Sequence, residues 1–245
     1  RSYAKQARKI HFDIDPSEIN KNVAVDVAVL GDCKETLPAV TALLEKKEHS
    51  MWRESFREWD EKENSVVIEP QIHPTEGPLR MGEVIRRVTE LTHDKAVLVT
   101  DVGQNQMMAA RYFRFTQKRS ILTSGGMGTM GYGLPAAIGA TFGAPDRTIC
   151  LFLGDGGLQM TIEELGTIME QHAPVKIILL NNNYLGNVRQ WQQLFFSHRY
   201  SFTPMMNPDY EKIAEAYNIP ALTITERSQL DKGIETMLHT PGPFL

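Results

Sequence analysis

Two polar clusters follow apolar runs in this chain, and their spacing suits metal chemistry. The run Ile149-Cys150-Leu151-Phe152-Leu153 passes into Gly154-Asp155-Gly156-Gly157, and the run from Val175 to Leu180 passes into Asn181-Asn182-Asn183. The offset from Asp155 to Asn182 leaves room for one helix between neighbouring parallel strands, so both clusters are expected at one sheet edge. A carboxylate and an amide oxygen are hard ligands that suit Mg²⁺ better than zinc. Mg²⁺ prefers six oxygens and takes the remainder from water and a bound phosphate. Glycines at 154, 156 and 157 let backbone N–H groups approach that phosphate, and a helix opening near Thr161 would turn its positive end toward it. Singly, Asp155 reads as a turn residue and the asparagines as a polar loop. Together they describe a clamp for Mg²⁺ and a diphosphate.

Two further clusters are candidates. Ser124 to Gly131 holds glycines at 126, 128 and 131, the spacing of a dinucleotide fingerprint. The preceding strand is short, and the acids about twenty residues on are Asp146, in a turn, and Asp155, already assigned, so the dinucleotide reading is rejected. Met130 in this loop reads by itself as core filling. Asp101-Val102-Gly103-Gln104-Asn105-Gln106 follows an apolar strand and meets a helix start, where helix capping competes with ligand contact. His73, His93, His172 and His198 lack matched partners and are assigned no chemistry.

The elements that must position these residues alternate. After a Pro/Gly-punctuated stretch, helices are expected over 82–91, 106–113, 134–142, 162–171, 209–217 and 229–238. Strands are expected over 96–100, 120–123, 148–153, 175–180 and 221–224. Continuous apolar strands between helices predict an α/β fold, a doubly wound parallel sheet with helices on both faces and ligands at the carboxyl ends of its strands. Before it, 9–14 and 23–30 read as strands and 36–47 as a helix. Trp52, Phe56 and Trp59 recur at helical spacing over 52–64 and read as a surface helix. The expected division is 1–48 as the end of another domain, 49–78 as a linker and 79–245 as the sheet domain.

With 245 residues, 42% hydrophobic, 23% charged and a net charge of −4, the chain has an ordinary globular composition. Its mild acidity, without a basic stripe, excludes a nucleic-acid partner. The two cysteines, Cys33 and Cys150, make no disulfide framework, and no apolar stretch reaches membrane-spanning length, so a cytoplasmic setting is expected. The ends, at Arg1-Ser2-Tyr3 and at Pro241 to Leu245, are expected to be cuts through a longer polypeptide.

Gly-Asp-Gly followed about twenty-five residues later by Asn-Asn resembles the signature of thiamine-diphosphate enzymes. That resemblance implies that Asp155, the Asn182 side chain and the Tyr184 carbonyl bind Mg²⁺. It implies diphosphate contacts from Gly156, Gly157, Gln104, Asn105 and the loop of Asn182, Tyr184, Leu185, Gly186 and Asn187. It also implies that the Gly128-Thr129-Met130 loop touches the aminopyrimidine, with Met130 wedging the cofactor into its bent form. Asn183 to Gln192, His198 to Ser201, and Thr129 to Ala137 are similar to biosynthetic acetolactate synthases in particular, and the similarity covers essentially the whole chain.

Membership of that family implies the thiamine-diphosphate-binding fold preceded by a remnant of the FAD-binding central domain, with Asp13 and Ile14 against FAD. It implies Val188 and Trp191 in the substrate pocket, and condensation of pyruvate with pyruvate or 2-ketobutyrate in branched-chain amino-acid synthesis. The implied assembly is a homodimer with its active site at the interface, and a small regulatory subunit is left open. Asn187 departs from the family's usual Met and makes that wall more polar. The activating glutamate is expected in an upstream domain, since Glu163 and Glu164 lie on the wrong helix, so this segment alone is expected not to catalyse. The alternatives are another thiamine-dependent lyase, oxidase or carboligase, or a binding module that retains a vestigial clamp.

Overall fold

The computed structural model describes residues 3–245, and Arg1 and Ser2 lie outside them. Contacts divide the chain into two units, before and after the Glu58–Trp59 junction. In the first, β1 (Ile10–Asp13) and β2 (Val27–Leu30) pair in parallel, with Asp13 opposite Leu30. Helix α1 (Cys33–Leu43) follows, capped by the Asp32 side chain, which accepts from the Lys34 N–H. None of the described residues of this unit is buried.

The punctuated stretch is more helical than its composition suggested. Helix α2 (Ser50–Glu63) carries the chain across the junction, a π-turn at Asn64–Ile68 follows, and α3 (Glu69–Ile72) ends it. Pro70 lies inside this continuous helix, directly after the π-turn, with Ile68 and Glu69 before it both keeping right-handed helical angles. The expected linker over 49–78 is therefore helical as far as Ile72.

The second unit then alternates: α4 (Met81–Leu91), β3 (Val97–Thr100), α5 (Gln104–Tyr112), β4 (Ile121–Leu122), α6 (Gly133–Gly143), β5 (Ile149–Gly154), α7 (Asp155–Met160) and α8 (Glu164–Gln171). It closes with β6 (Val175–Leu180), α9 (Gly186–Phe195), α10 (Tyr210–Ala216) and α11 (Leu230–His239). The sheet order is β4-β3-β5-β6, parallel throughout. Side chains alternate across β5, and each set founds its own core. Ile149, Leu151 and Leu153 pack with Leu134, Leu165 and Ile168. Cys150 and Phe152 pack with Ile85, Val88, Ile234 and Met237. Both faces are thus covered, as the uninterrupted apolar runs require.

Three expectations change. Ala221–Ile224 is not a strand, because only Leu222 finds a backbone acceptor, the Leu245 carbonyl. The helix expected over 162–171 begins at Glu164, after α7 has already run from Asp155 to Met160. Thr161 (φ −137, ψ 35) breaks the two apart and donates its hydroxyl to the Gly131 carbonyl, so the helix start next to the glycine cluster is that of α7 at Asp155. Third, α9 begins within the loop that follows the asparagine cluster.

Candidate functional site

The parallel register sets Gly154 opposite Leu180, so Asp155 and Asn181 leave the sheet side by side. Asp155 is buried. Its Oδ1 accepts from the Gly156 N–H at 3.1 Å, and its Oδ2 accepts from the Asn207 amide at 2.7 Å. Asn182 Oδ1 accepts from the Tyr184 N–H at 3.0 Å, which turns the chain back toward the start of α9. Across from it, Gln104 Nε2 donates to Gln190 Oε1 at 3.0 Å, tying the start of α5 to α9. Asn105 is buried, and its amide oxygen has no hydrogen-bond partner, the kind of group a ligand completes.

Several of these residues line an open-sided cavity of about 90 Å³, far below the several hundred typical of a complete small-molecule pocket. Its lining includes Gln104, Asn105, Met130, Asp155, Gly156 and Gly157, together with Asn182, Tyr184, Leu185, Gly186, Asn187 and Val188. A β-carbon on Gly156 would stand 2.7 Å from Leu185 Cδ2 and 3.6 Å from Met130 Cε, so a side chain here would have to push the end of Leu185 aside. Gly128 and Thr129 are exposed and outside the cavity lining, and Trp191 is 55% exposed on α9. Asp13 and Ile14 belong to the other unit. Asp13 ends β1, and Ile14 is 70% exposed.

Sequence reasoning missed Asp101. Its buried carboxylate accepts from three backbone N–H groups: Val102 at 2.8 Å, Gly131 at 3.2 Å and Gly133 at 2.8 Å. Gly131 adopts φ +82, a conformation that favours glycine, and follows directly on Met130. Asp101 therefore fixes the turn that carries Met130. Asn207 was missed as well, and so was the stack of Arg189 between the rings of Tyr184 (4.4 Å) and Tyr200 (4.1 Å). Near the clamp, burial raises the pKa of Tyr210; the Gln159 hydrogen bond offsets this in part, and the charge of Asp155 adds to it.

A buried carboxylate, amide oxygens and a glycine cradle at parallel strand ends can hold a hard cation with a phosphorylated ligand. The chain belongs to the thiamine pyrophosphate enzymes: the model of that family's C-terminal, TPP-binding domain matches residues 101–245, and that of its central domain matches residues 1–40. Within curated proteins it is similar to acetolactate synthase 1, chloroplastic, of Nicotiana tabacum, at 40% identity over all of this chain and 38% of that protein. It is similar at 39% identity to the acetolactate synthase isozyme 2 large subunit of Escherichia coli, again over all of this chain and 43% of that protein. A probable acetolactate synthase large subunit of Methanococcus aeolicus is 38% identical over the same shares. The chain spans about two fifths of the length of these relatives.

Proposed function

We propose that this chain is the cofactor-binding segment of an acetolactate synthase large subunit. The whole polypeptide joins pyruvate to a second pyruvate, or to 2-ketobutyrate, with release of CO₂. The products are 2-acetolactate and 2-aceto-2-hydroxybutyrate. The observation that carries this reading is the pairing of β5 with β6, which sets Asp155 beside the 181–187 loop in a domain whose family binds thiamine pyrophosphate. Similarity along essentially the full chain to acetolactate synthase large subunits supports this choice of reaction.

The residues fit the implied group. Asp155, the Asn182 side chain and the Tyr184 carbonyl offer the oxygen donors that Mg²⁺ takes. Gly156 leaves its part of the cradle clear of a side chain, and the unpartnered Asn105 amide belongs to the same cavity lining. In this reading Gln104, Asn105, Leu185, Gly186 and Asn187 hold the diphosphate. Gly128, Thr129 and Met130 face the pyrimidine ring, and Val188 and Trp191 flank the ketoacid. Bound thiamine diphosphate supplies the carbanion stabilisation that decarboxylation and carbon–carbon bond formation need. The chain's own residues bind, orient and shield it. Asn187 makes its side of the pocket more polar than a methionine would.

FAD against Asp13 and Ile14, a homodimer with its site between subunits, a small regulatory subunit and a cytoplasmic setting complete the proposal. A cavity of about 90 Å³ is one wall of a larger site, so this segment alone is expected to show no turnover. The test is acetolactate production from pyruvate by the full polypeptide with Mg²⁺, thiamine diphosphate and FAD, beside Asp155→Ala. Loss of product in the variant supports both the reaction and the clamp. Acetaldehyde or acetyl phosphate in place of acetolactate would move the protein to another reaction of the family.

A further inference from the structure

Residues 203–207 lie over the 181–187 loop as a strap. The Leu185 N–H donates to the Thr203 carbonyl at 2.9 Å, and the Met205 N–H donates to the Asn183 carbonyl at 2.8 Å. Between them, Tyr184 and Pro204 form an antiparallel bridge. Asn207 finishes the strap with its side chain. Its amide nitrogen lies 2.7 Å from Asp155 Oδ2, 2.8 Å from Asn181 Oδ1 and 3.1 Å from Asn183 Oδ1. Its amide oxygen accepts from Gln159 Nε2 at 2.9 Å. That last bond fixes which end of the amide faces the carboxylate. An NH₂ group has two hydrogens, so three oxygens share them and draw together about one atom.

We propose that Asn207 is a positioning residue, which holds the Asp155 carboxylate in a fixed rotation against the asparagine loop and so presets the cation clamp. This rests on the reading of Asp155 as a Mg²⁺ ligand. The physical case is that a lone carboxylate at a strand end can rotate about its own side-chain bonds. A donor held from a separate segment removes that freedom before the cation arrives. Partners of this kind, one step behind a ligand, orient it and tune its affinity. The strap also couples the site to a segment distant in sequence, because the Asp155 to Asn207 bond spans 52 residues.

The test uses the full polypeptide with thiamine diphosphate and Mn²⁺ as the spectroscopic probe, its binding followed by electron paramagnetic resonance. Asn207→Ala is expected to weaken Mn²⁺ binding about 10- to 100-fold while shifting the metal-free melting temperature little. Gln159→Ala, which frees the Asn207 amide to flip, is expected to weaken it in the same direction and less. Unchanged Mn²⁺ affinity in Asn207→Ala, with the wild type binding normally, overturns the inference and leaves the clamp intact. So does a lowered melting temperature with unchanged affinity. Failure of the wild type itself to bind Mn²⁺ overturns the clamp reading and this inference together.

Discussion

Gly157 lies so close to Asp101 that a β-carbon placed on it would stand 2.5 Å from the Asp101 carboxylate oxygen and 2.8 Å from the carboxylate carbon. Asp101 cannot retreat, since it is buried and bound to the backbone of Val102, Gly131 and Gly133. The first turn of α7 therefore packs directly on the residue that anchors the Met130 loop.

Gly157→Ala is consequently expected to destabilise the fold by about 1–3 kcal/mol, the usual range for overfilling a packed interior. Thermal unfolding of the polypeptide checks this. An unchanged melting temperature would mean that α7 can slide away from Asp101.

Gly186→Ala is a contrasting case. Its β-carbon would overlap Gln104 Oε1, the free end of a flexible side chain, and approach Asn182 Nδ2 at 3.0 Å. Gln104 can swing aside, and Gly186 stands at the first position of α9, outside the helix interior where glycine and alanine differ most, so stability should hardly change. Displacing Gln104 does remove its bond to Gln190. The expected result is weaker thiamine diphosphate binding at near-normal stability, read by calorimetric titration of the full polypeptide.

Lys176 provides a pH dependence. Its ammonium is buried in β6, where it donates to the Thr240 carbonyl at 2.6 Å and the Gly242 carbonyl at 2.7 Å, with no carboxylate among the described residues paired to it. Burial lowers its pKa below 10.5, and the neighbouring Cys150, whose thiol burial pushes up to about 12, opposes this slightly. Below its lowered pKa the fold must carry a buried cation. Between that value and 10.5 the unfolded chain binds more protons at this site, so the Lys176 contribution to stability rises with pH across this window, against the fall contributed by Cys150 and Tyr210, whose raised pKa values let the unfolded thiol and phenol ionise first. Urea unfolding of wild type beside Lys176→Met isolates this contribution: the stability of the wild type relative to the variant should rise with pH across the window, and a pH-independent difference would refute it.

Much of the sheet was legible because its strands are buried on both faces and therefore read as unbroken apolar runs, as in Ile149 to Leu153 and Val175 to Leu180. The closeness of the two polar clusters was legible for the same reason: Gly-Asp-Gly-Gly and the asparagines stand where those runs stop. Tertiary partners were not. Nothing local marks Asp101 as the acceptor for Gly131 and Gly133, or Asn207 as the donor to Asp155, since each bond joins segments at least thirty residues apart. Helix α9 was hidden because its start, Gly186-Asn187, reads as turn residues, and none of its apolar residues is buried in this unit. Ala221–Ile224 misled in the opposite way, having strand composition but too few backbone partners.

The edge of β6 has a consequence for how the protein is made. Phe244 bonds to the backbone of Val175 and Ile177, and Lys176 reaches Gly242, 66 residues further along the chain. A ribosome adding about 5–20 residues per second needs roughly 3–13 s to bridge that gap. Throughout that interval the growing chain carries an apolar strand with one row of N–H and C=O groups unpaired, open to any other strand that reaches it first. Folding yield should therefore respond to synthesis rate and to chaperones that cover strand edges.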